Sequence, residues 1–270
     1  MICLPKAIEA IPVRVGASRL PPMTRHLQTL LLLFSLCGIA LGLWQRDRLP
    51  APSRLVSAIA QEPLQTPTRL AGFKASAAGV EYTIKPLFDY RIQGVVVSRH
   101  DSAAWWDLVH RKDWNDHLNV ADLCIVWGTN ATSGIYRELR YWSEVFTCNV
   151  ATDSNAVWQR FNEEGLSNNH LLTNEPTIAR LLRNVRPGDQ VEITGRLSEY
   201  SHNAGLPFKR GTSIRRDDHG DGACETIWVD TARVLREANR GWRTVLNLAW
   251  LGLALSVLWW FVLPPKSFNR

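Results

Sequence analysis

The stretch that decides the fold is residues 185–234, and it has three parts. Residues 185–200 read VRPGDQVEITGRLSEY, in which a Pro-Gly-Asp turn precedes an alternation of apolar and polar side chains. Residues 209–222, KRGTSIRRDDHGDG, are polar, and residues 223–230, ACETIWVD, alternate again. A period of two is typical of a strand that buries one face, and Pro-Gly is typical of a turn. The sequence therefore predicts two strands joined by a polar loop.

The segments before this hairpin add three strands and two helices to the prediction. Runs rich in β-branched and aromatic residues predict strands at residues 88–97, 122–128 and 144–150. Capping residues followed by apolar positions at helical spacing predict helices at residues 154–164 and 175–184. The order of elements, with Pro-Gly-Asp opening the fourth strand, resembles the OB-fold, a small Greek-key barrel. We therefore predict a mainly β fold with short helices, a small OB-like five-stranded barrel; another small β-barrel or an α+β sandwich is the alternative.

Two long apolar runs flank this domain. Leu27 to Trp44 contains no charge, and Val245 to Leu263 has Asn247 and Ser256 as its polar members. Both runs approach the roughly 20 residues that a helix needs to cross about 30 Å of hydrocarbon. The alternatives are a cleavable signal peptide for the first run and a buried core helix for the second. The predicted order is a disordered tail (1–26), a transmembrane helix (27–44), a Pro-rich linker (45–84), the OB-like domain (85–235), a juxtamembrane segment (236–244), a transmembrane helix (245–263) and a tail (264–270).

The net charge of +6 is unevenly distributed. Residues 1–84 hold nine Lys/Arg against four Asp/Glu, and residues 236–270 hold five against one. Residues 85–235 hold seventeen against twenty, so the predicted domain is slightly acidic. Basic flanks suit anionic lipid head groups, whereas nucleic-acid binding depends on positive charge in the binding domain. We therefore expect membrane lipid as a partner through the two spans, and no nucleic acid.

The predicted location is a bacterial inner membrane, crossed twice, with the domain in the periplasm. Arginines lie on both sides of each apolar run, so the positive-inside rule does not decide the orientation. One folded domain between two spans with short tails is the common layout of a periplasm-facing protein. At the level of pattern, this layout resembles bacterial membrane-anchored proteins with an OB-fold-like domain.

Two polar loops, the tryptophan-rich residues 98–121 and the charged residues 201–222, are the predicted binding surface. In an OB-fold, the loops joining strands 1–2 and 4–5 grip the ligand. An envelope protein or a glycan is the expected partner, with tryptophan rings as a stacking platform. The alternatives are tryptophans that close one end of the barrel and arginines that pair with nearby aspartates. The candidate ligand-binding residues are Trp105, Trp106, Trp114, His117, Arg210, Arg215 and Arg216.

Metal binding is a weaker prediction. Asp217, His219 and Asp221 alternate before a glycine, like the opening of a calcium loop, but Trp228 stands where such a loop needs glutamate. A solvated turn is the simpler interpretation. The histidines of the two loops could converge on a transition metal, although none has a recognised metal spacing. We therefore expect no cofactor, with Ca²⁺ as the alternative.

The positions of the cysteines in the sequence predict a structural rather than a catalytic role for them. Cys148 and Cys224 both lie in apolar, strand-like runs, where a disulfide between them is a better prediction than a nucleophile. We assign no catalytic residue from the sequence. The expected function is a non-enzymatic, membrane-tethered binding or assembly module. The alternative is a membrane-anchored hydrolase or metal-dependent enzyme that uses His and Asp residues of the two loops, which requires two of those histidines to meet a shared carboxylate.

Overall fold

The computed structural model describes residues 22–102, 104, 105, 107–218, 220 and 222–262. They divide into two compact units. One unit is residues 43–243, and the other combines the terminal segments, up to Gly42 and from Thr244 onward.

The helices and strands follow one another as α1 (Pro22–Gln45), β1 (Leu64–Pro67), β2 (Phe73–Ala77), β3 (Val80–His100), β4 (Asn119–Val126), α2 (Gly128–Ser133), β5 (Arg140–Glu144), β6 (Thr147–Ala151), α3 (Asn155–Trp158), β7 (Leu166–Leu172), α4 (Pro176–Asn184), β8 (Gln190–His202), β9 (Phe208–Arg210), β10 (Glu225–Arg236) and α5 (Arg240–Val262). The expectation of a mainly β fold with short helices is confirmed.

Five strands of the larger unit form a closed ring. They pair in the order β3-β4-β7-β10-β8, and β8 pairs back to β3. The β7–β10 pair is parallel, and the other ring pairs are antiparallel. Apolar side chains from all five strands fill the interior, among them Ile92, Leu123, Leu171, Ile193 and Ile227, each fully buried.

At two places in the ring, neighbouring strands approach so closely that one of them must have a glycine. A Cβ atom on Gly195 would lie 2.0 Å from the carbonyl oxygen of Trp228 on β10. A Cβ atom on Gly94 would lie 2.3 Å from a methyl group of Ile125 on β4. No larger side chain fits where the backbones approach so closely.

Two predicted segments are corrected by the strand pairing. Residues 144–150 lie in the β5–β6 hairpin, which is a separate two-stranded sheet, and the third ring strand is β7. The polar sequence Ser167-Asn168-Asn169-His170 interrupts the apolar pattern that predicts a strand, so the sequence does not predict β7.

Residues 45–84 contain β1 and β2, which both pair with β3. This segment therefore belongs to the folded unit rather than to a linker. Pro67 is compatible with a strand here, because it ends β1 and β1 is an edge strand.

The predicted disulfide between Cys148 and Cys224 is also corrected. Cys148 on β6 pairs with Cys124 on β4, at a Cα–Cα distance of 5.7 Å. This separation is ordinary for a disulfide. The bond fastens the β5–β6 hairpin to the ring, and Cys224 remains a free thiol.

In the smaller unit, α1 and α5 pack through small residues. A Cβ atom on Gly38 would lie 2.9 Å from the Cβ of Ala249, and one on Gly252 would lie 2.5 Å from Oγ of Ser35. Gln28 Nε2 donates to the carbonyl oxygen of Ser256 at 3.3 Å. Small residues and a polar bridge are what close helix packing in lipid uses. Both helices are long and apolar enough to cross a membrane.

Candidate active site

A cavity in the folded unit has a volume of about 780 Å³. Its walls come from the β5–β6 hairpin, β7, β9 and the segment that leads into β10. The lining residues that matter for chemistry are Phe146, Asn168, His170, Arg210, Cys224 and Glu225.

Strand register places Cys224 beside His170. The parallel pair aligns Glu225 with Asn169 and Thr226 with His170. Cys224 precedes Glu225, so the same register places it opposite Asn168. Nδ2 of Asn168 is 3.5 Å from Sγ of Cys224. Side chains two apart on a strand share a face, so Asn168 and His170 both face the same side as Cys224. The Cys224 thiol donates to the carbonyl oxygen of Phe146 at 3.8 Å, and the Cys224 side chain also contributes to raising the pKa of His170.

The third member of this group is Asp122 on β4. Strand pairing sets Asp122 opposite His170, and Nδ1 of His170 donates to Oδ1 of Asp122 at 2.7 Å. Asp122 is fully buried, and His170 is 2% exposed. Asp122 and His170 therefore form a buried hydrogen-bonded pair, and both His170 and Cys224 line the cavity.

Electrostatics make His170 a cation at neutral pH. Burial opposes its protonation, but the negative charge of Asp122 and the hydrogen bond to it raise the pKa of His170 to about 9. Burial would likewise raise the pKa of Asp122, but His170 lowers it well below its usual value. Asp122 and His170 therefore form a buried ion pair in the wall of the cavity.

The hydrogen bonds continue from Asp122 towards the loop after β3. Asn119 Nδ2 donates to Asp122 at 2.7 Å and lies 3.3 Å from Nε2 of His110. His110 Nδ1 then donates to Asp107 Oδ2 at 2.6 Å, and His100 Nε2 donates to the same oxygen at 2.7 Å. This series ties the loop after β3 to the base of the candidate site.

His100, Asp107 and His110 come closest to a metal site among the described residues, since one ligand atom of each lies within 4.8 Å of the others. The hydrogen bonds disfavour that use. Nδ2 of Asn119 donates to Asp122, and the same nitrogen is the atom that faces Nε2 of His110. Nε2 of His110 therefore accepts a hydrogen bond and carries no proton. The ring proton of His110 must then be on Nδ1, where it blocks metal coordination. Burial lowers the pKa of His110, in keeping with this neutral ring.

Phe146 closes the cavity over these groups. It occupies the turn between β5 and β6 with a positive φ of 67°. Its carbonyl oxygen accepts from Asn168 at 3.0 Å and lies 3.8 Å from Cys224 Sγ. Its ring centroid is 4.2 Å from that of His110, and the Arg210 guanidinium carbon lies 3.7 Å above it. The hairpin turn therefore covers both the thiol and Arg210.

Glu225 is a second buried acid in the cavity wall. It is 2% exposed and pairs with Arg216, which also donates to the Tyr90 hydroxyl at 2.8 Å. Burial raises the pKa of Glu225 to about 7, against the opposing charge of Arg216. Its Oε2 atom is buried without a hydrogen-bond partner.

The structure brings part of the predicted site together. Arg210, Arg215 and Arg216 all line the cavity. Arg215 pairs with Asp217 at 2.7 Å, so the aspartate of the calcium hypothesis already has a cationic partner. Trp106, His219 and Asp221 lie outside the described residues.

The other predicted residues lie outside the cavity lining. Trp105 is 78% exposed. Trp114 packs its ring edge against Phe208, at a centroid distance of 5.8 Å. His117 Nε2 hydrogen bonds with Oδ1 of Asn115 at 2.8 Å. Of the described tryptophans, Trp105 and Trp114 therefore do not line the cavity that the three arginines line.

Comparison with protein-family models, curated proteins and solved structures finds no significant match. The geometry of the cavity is therefore what bears on function.

Sequence reasoning missed His170, Asp122 and Asn168. The available signal was the run Ser167-Asn168-Asn169-His170 between apolar residues, because polar side chains buried in a strand need specific partners. The sequence predicts Cys224 as a disulfide partner rather than a nucleophile, because His170 comes near it through strand pairing that the sequence does not display.

Proposed function

We propose that this chain is a membrane-anchored cysteine hydrolase or acyl transferase, with Cys224 as nucleophile, His170 as general acid and base, and Asp122 as the group that orients His170. The observation that carries the proposal is the buried Asp122–His170 pair in the wall of the cavity that Cys224 also lines. Covalent acyl chemistry requires a nucleophile, a base and an acid that orients the base in one site.

The reaction has two steps. The Cys224 thiolate attacks a carbonyl carbon, a C–S bond forms, and the π electrons move to the carbonyl oxygen. Collapse of this intermediate breaks the bond to the amine or alcohol leaving group, which takes a proton from His170. Water or a second acceptor, deprotonated by His170, then attacks the thioester and releases the thiolate. Asp122 keeps the ring in the correct tautomer throughout.

We further propose that the strand ring is an OB-like barrel anchored outside the cytoplasm of a bacterial cell. The ring order and the parallel β7–β10 pair support the first point. The β5–β6 hairpin and strands β1 and β2 are additions to a minimal five-stranded barrel. The Cys124–Cys148 disulfide supports the second point, because disulfides persist in oxidising compartments such as the periplasm.

A binding role is the second candidate function. Trp105 is 78% exposed and Trp114 is 42% exposed, an arrangement that offers aromatic surface to an envelope protein or a glycan. Trp105→Ala should weaken capture of that partner by the full-length protein without changing its thermal unfolding. An unchanged complex would count against this role.

The enzyme proposal is tested with p-nitrophenyl acetate, a general acyl donor. The full-length protein, with Cys3 and Cys37 replaced by serine, should release p-nitrophenolate and carry an acetyl group on Cys224, detected by mass spectrometry. Cys224→Ala should abolish acetylation, and His170→Gln should slow it by two orders of magnitude or more, roughly the contribution of general acid–base catalysis. Acetylation elsewhere, or an undiminished rate in His170→Gln, would rule the mechanism out.

A further inference from the structure

Arg210 is a cation in the cavity wall that has no anionic partner among the described residues. Its Nη1 atom is buried without a hydrogen bond. Its guanidinium stacks on the face of Phe146, the residue whose carbonyl oxygen lies beside Cys224 Sγ. The other described bases of the cavity are paired: Lys209 with Glu199, Arg215 with Asp217 and Arg216 with Glu225.

The position of Arg210 is fixed by its surroundings. Strand β9 pairs with β8 and sets Arg210 opposite Tyr200. The next residues run along the start of β10, where Thr226 Oγ1 donates to the carbonyl oxygen of Gly211 at 2.8 Å. The positive charge of Arg210 acts on His170 and lowers the pKa of its ring, against the larger effect of Asp122. A guanidinium held in this way is preorganised for a planar, two-oxygen acceptor.

The charge balance of the cavity favours a single negative charge. Its described lining holds the bases Lys209, Arg210, Arg215 and Arg216 and the acids Glu163, Asp218 and Glu225. Lys209, Arg215 and Arg216 are each paired with an acid, which leaves the charge of Arg210 unmatched among these side chains. One positive charge remains, which matches a carboxylate better than a doubly charged phosphate.

We propose that Arg210 binds a free carboxylate on the substrate, so that the enzyme acts on acyl compounds, such as peptides or amides, whose carboxylate lies near the carbonyl that Cys224 attacks. This inference rests on the proposed function. Arg210 is then a specificity-determining residue that selects anionic substrates.

The test compares two alkylating probes of similar size on Cys224. Iodoacetate carries a carboxylate and iodoacetamide is neutral, and mass spectrometry of the full-length protein measures each rate. The rate ratio of iodoacetate to iodoacetamide should fall about tenfold in Arg210→Gln, since the charge-assisted hydrogen bonds to the carboxylate are lost. Arg210→Lys should keep part of the preference. Arg215→Gln is the matched control, because Arg215 lines the same cavity but is paired with Asp217, and it should leave the ratio unchanged.

The outcomes separate the inference from the function on which it rests. Fast alkylation of Cys224 by iodoacetamide, with a ratio that does not change in Arg210→Gln, overturns the carboxylate site and leaves the nucleophile intact. Equal loss of both rates in Arg210→Gln overturns it as well, since a cation that acts on the thiol or on the fold does not discriminate between probes. If iodoacetamide reacts no faster with Cys224 in the native protein than in the urea-unfolded protein, the proposed function fails, and the inference fails with it.

Discussion

The ion pair between Asp122 and His170 makes the stability of the fold depend on pH. Because the pKa of His170 is raised from 6.5 to about 9, the folded protein holds this proton where the unfolded chain has released it. The stabilisation is fully present below pH 6.5 and is lost as the pH rises through 9. Thermal unfolding of the full-length protein should therefore show a falling Tm over this interval, and His170→Gln should flatten it. An equally steep decline in His170→Gln would contradict the assigned pair.

Glu225 predicts a separate pH dependence at lower values. Its pKa is raised from 4.5 to about 7, so the unfolded chain loses the proton first and stability falls between these two values. Glu225→Gln keeps the shape and one oxygen for Arg216 but removes the titration. We expect its Tm to be nearly constant from pH 4.5 to 7, with a gain at pH 7 over the native protein. A native-like slope in the variant would assign the titration to another group.

At the scale of elements, the β5–β6 hairpin is the part whose position is fixed covalently. The Cys124–Cys148 bond fastens β6 to β4, and Phe146 at the turn lies over the thiol of Cys224. Replacing both bonded cysteines with alanine should lower the free energy of unfolding by about 3 kcal/mol, the chain-entropy contribution of a loop of this size. It should also raise the rate at which iodoacetamide alkylates Cys224. Cys37→Ala is the control, and an unchanged alkylation rate would show that the hairpin does not cover the thiol.

The elements also show what the sequence could and could not predict. Strands β8 and β10 were predicted because each buries one face and alternates in polarity. Strand β7 was not, since its buried polar residues have partners only across strands: His170 meets Asp122 on β4 and Cys224 beside β10. The same limit applies to the site. The sequence placed Arg210 in a candidate binding loop, whereas the meeting of Asp122, His170 and Cys224 depends on strand register that local sequence does not encode.

For the whole molecule, the arrangement of apolar segments constrains the topology. The folded unit, residues 43–243, is continuous with α1 at one end and α5 at the other, and both helices have the length and composition of a membrane span. If both cross, the two tails lie on one side and the folded unit lies on the other. The charge of the flanks leaves the direction open, so the proposed placement of the folded unit outside the cytoplasm needs a direct test.

This topology can be tested by a reporter at two positions. The turn at Ala78 and Gly79 between β2 and β3 is exposed, both residues have positive φ, and no atom lies within 4 Å of a Cβ built on Gly79. Alkaline phosphatase, which is active only after export, should be active when inserted there and inactive when fused after Arg270, in a bacterial host. In the same cells, Cys124 and Cys148 should resist alkylation until a reductant is added, because exported thiols oxidise. Activity at the C-terminal fusion alone, together with readily alkylated Cys124 and Cys148, would place the folded unit in the cytosol and reverse the orientation.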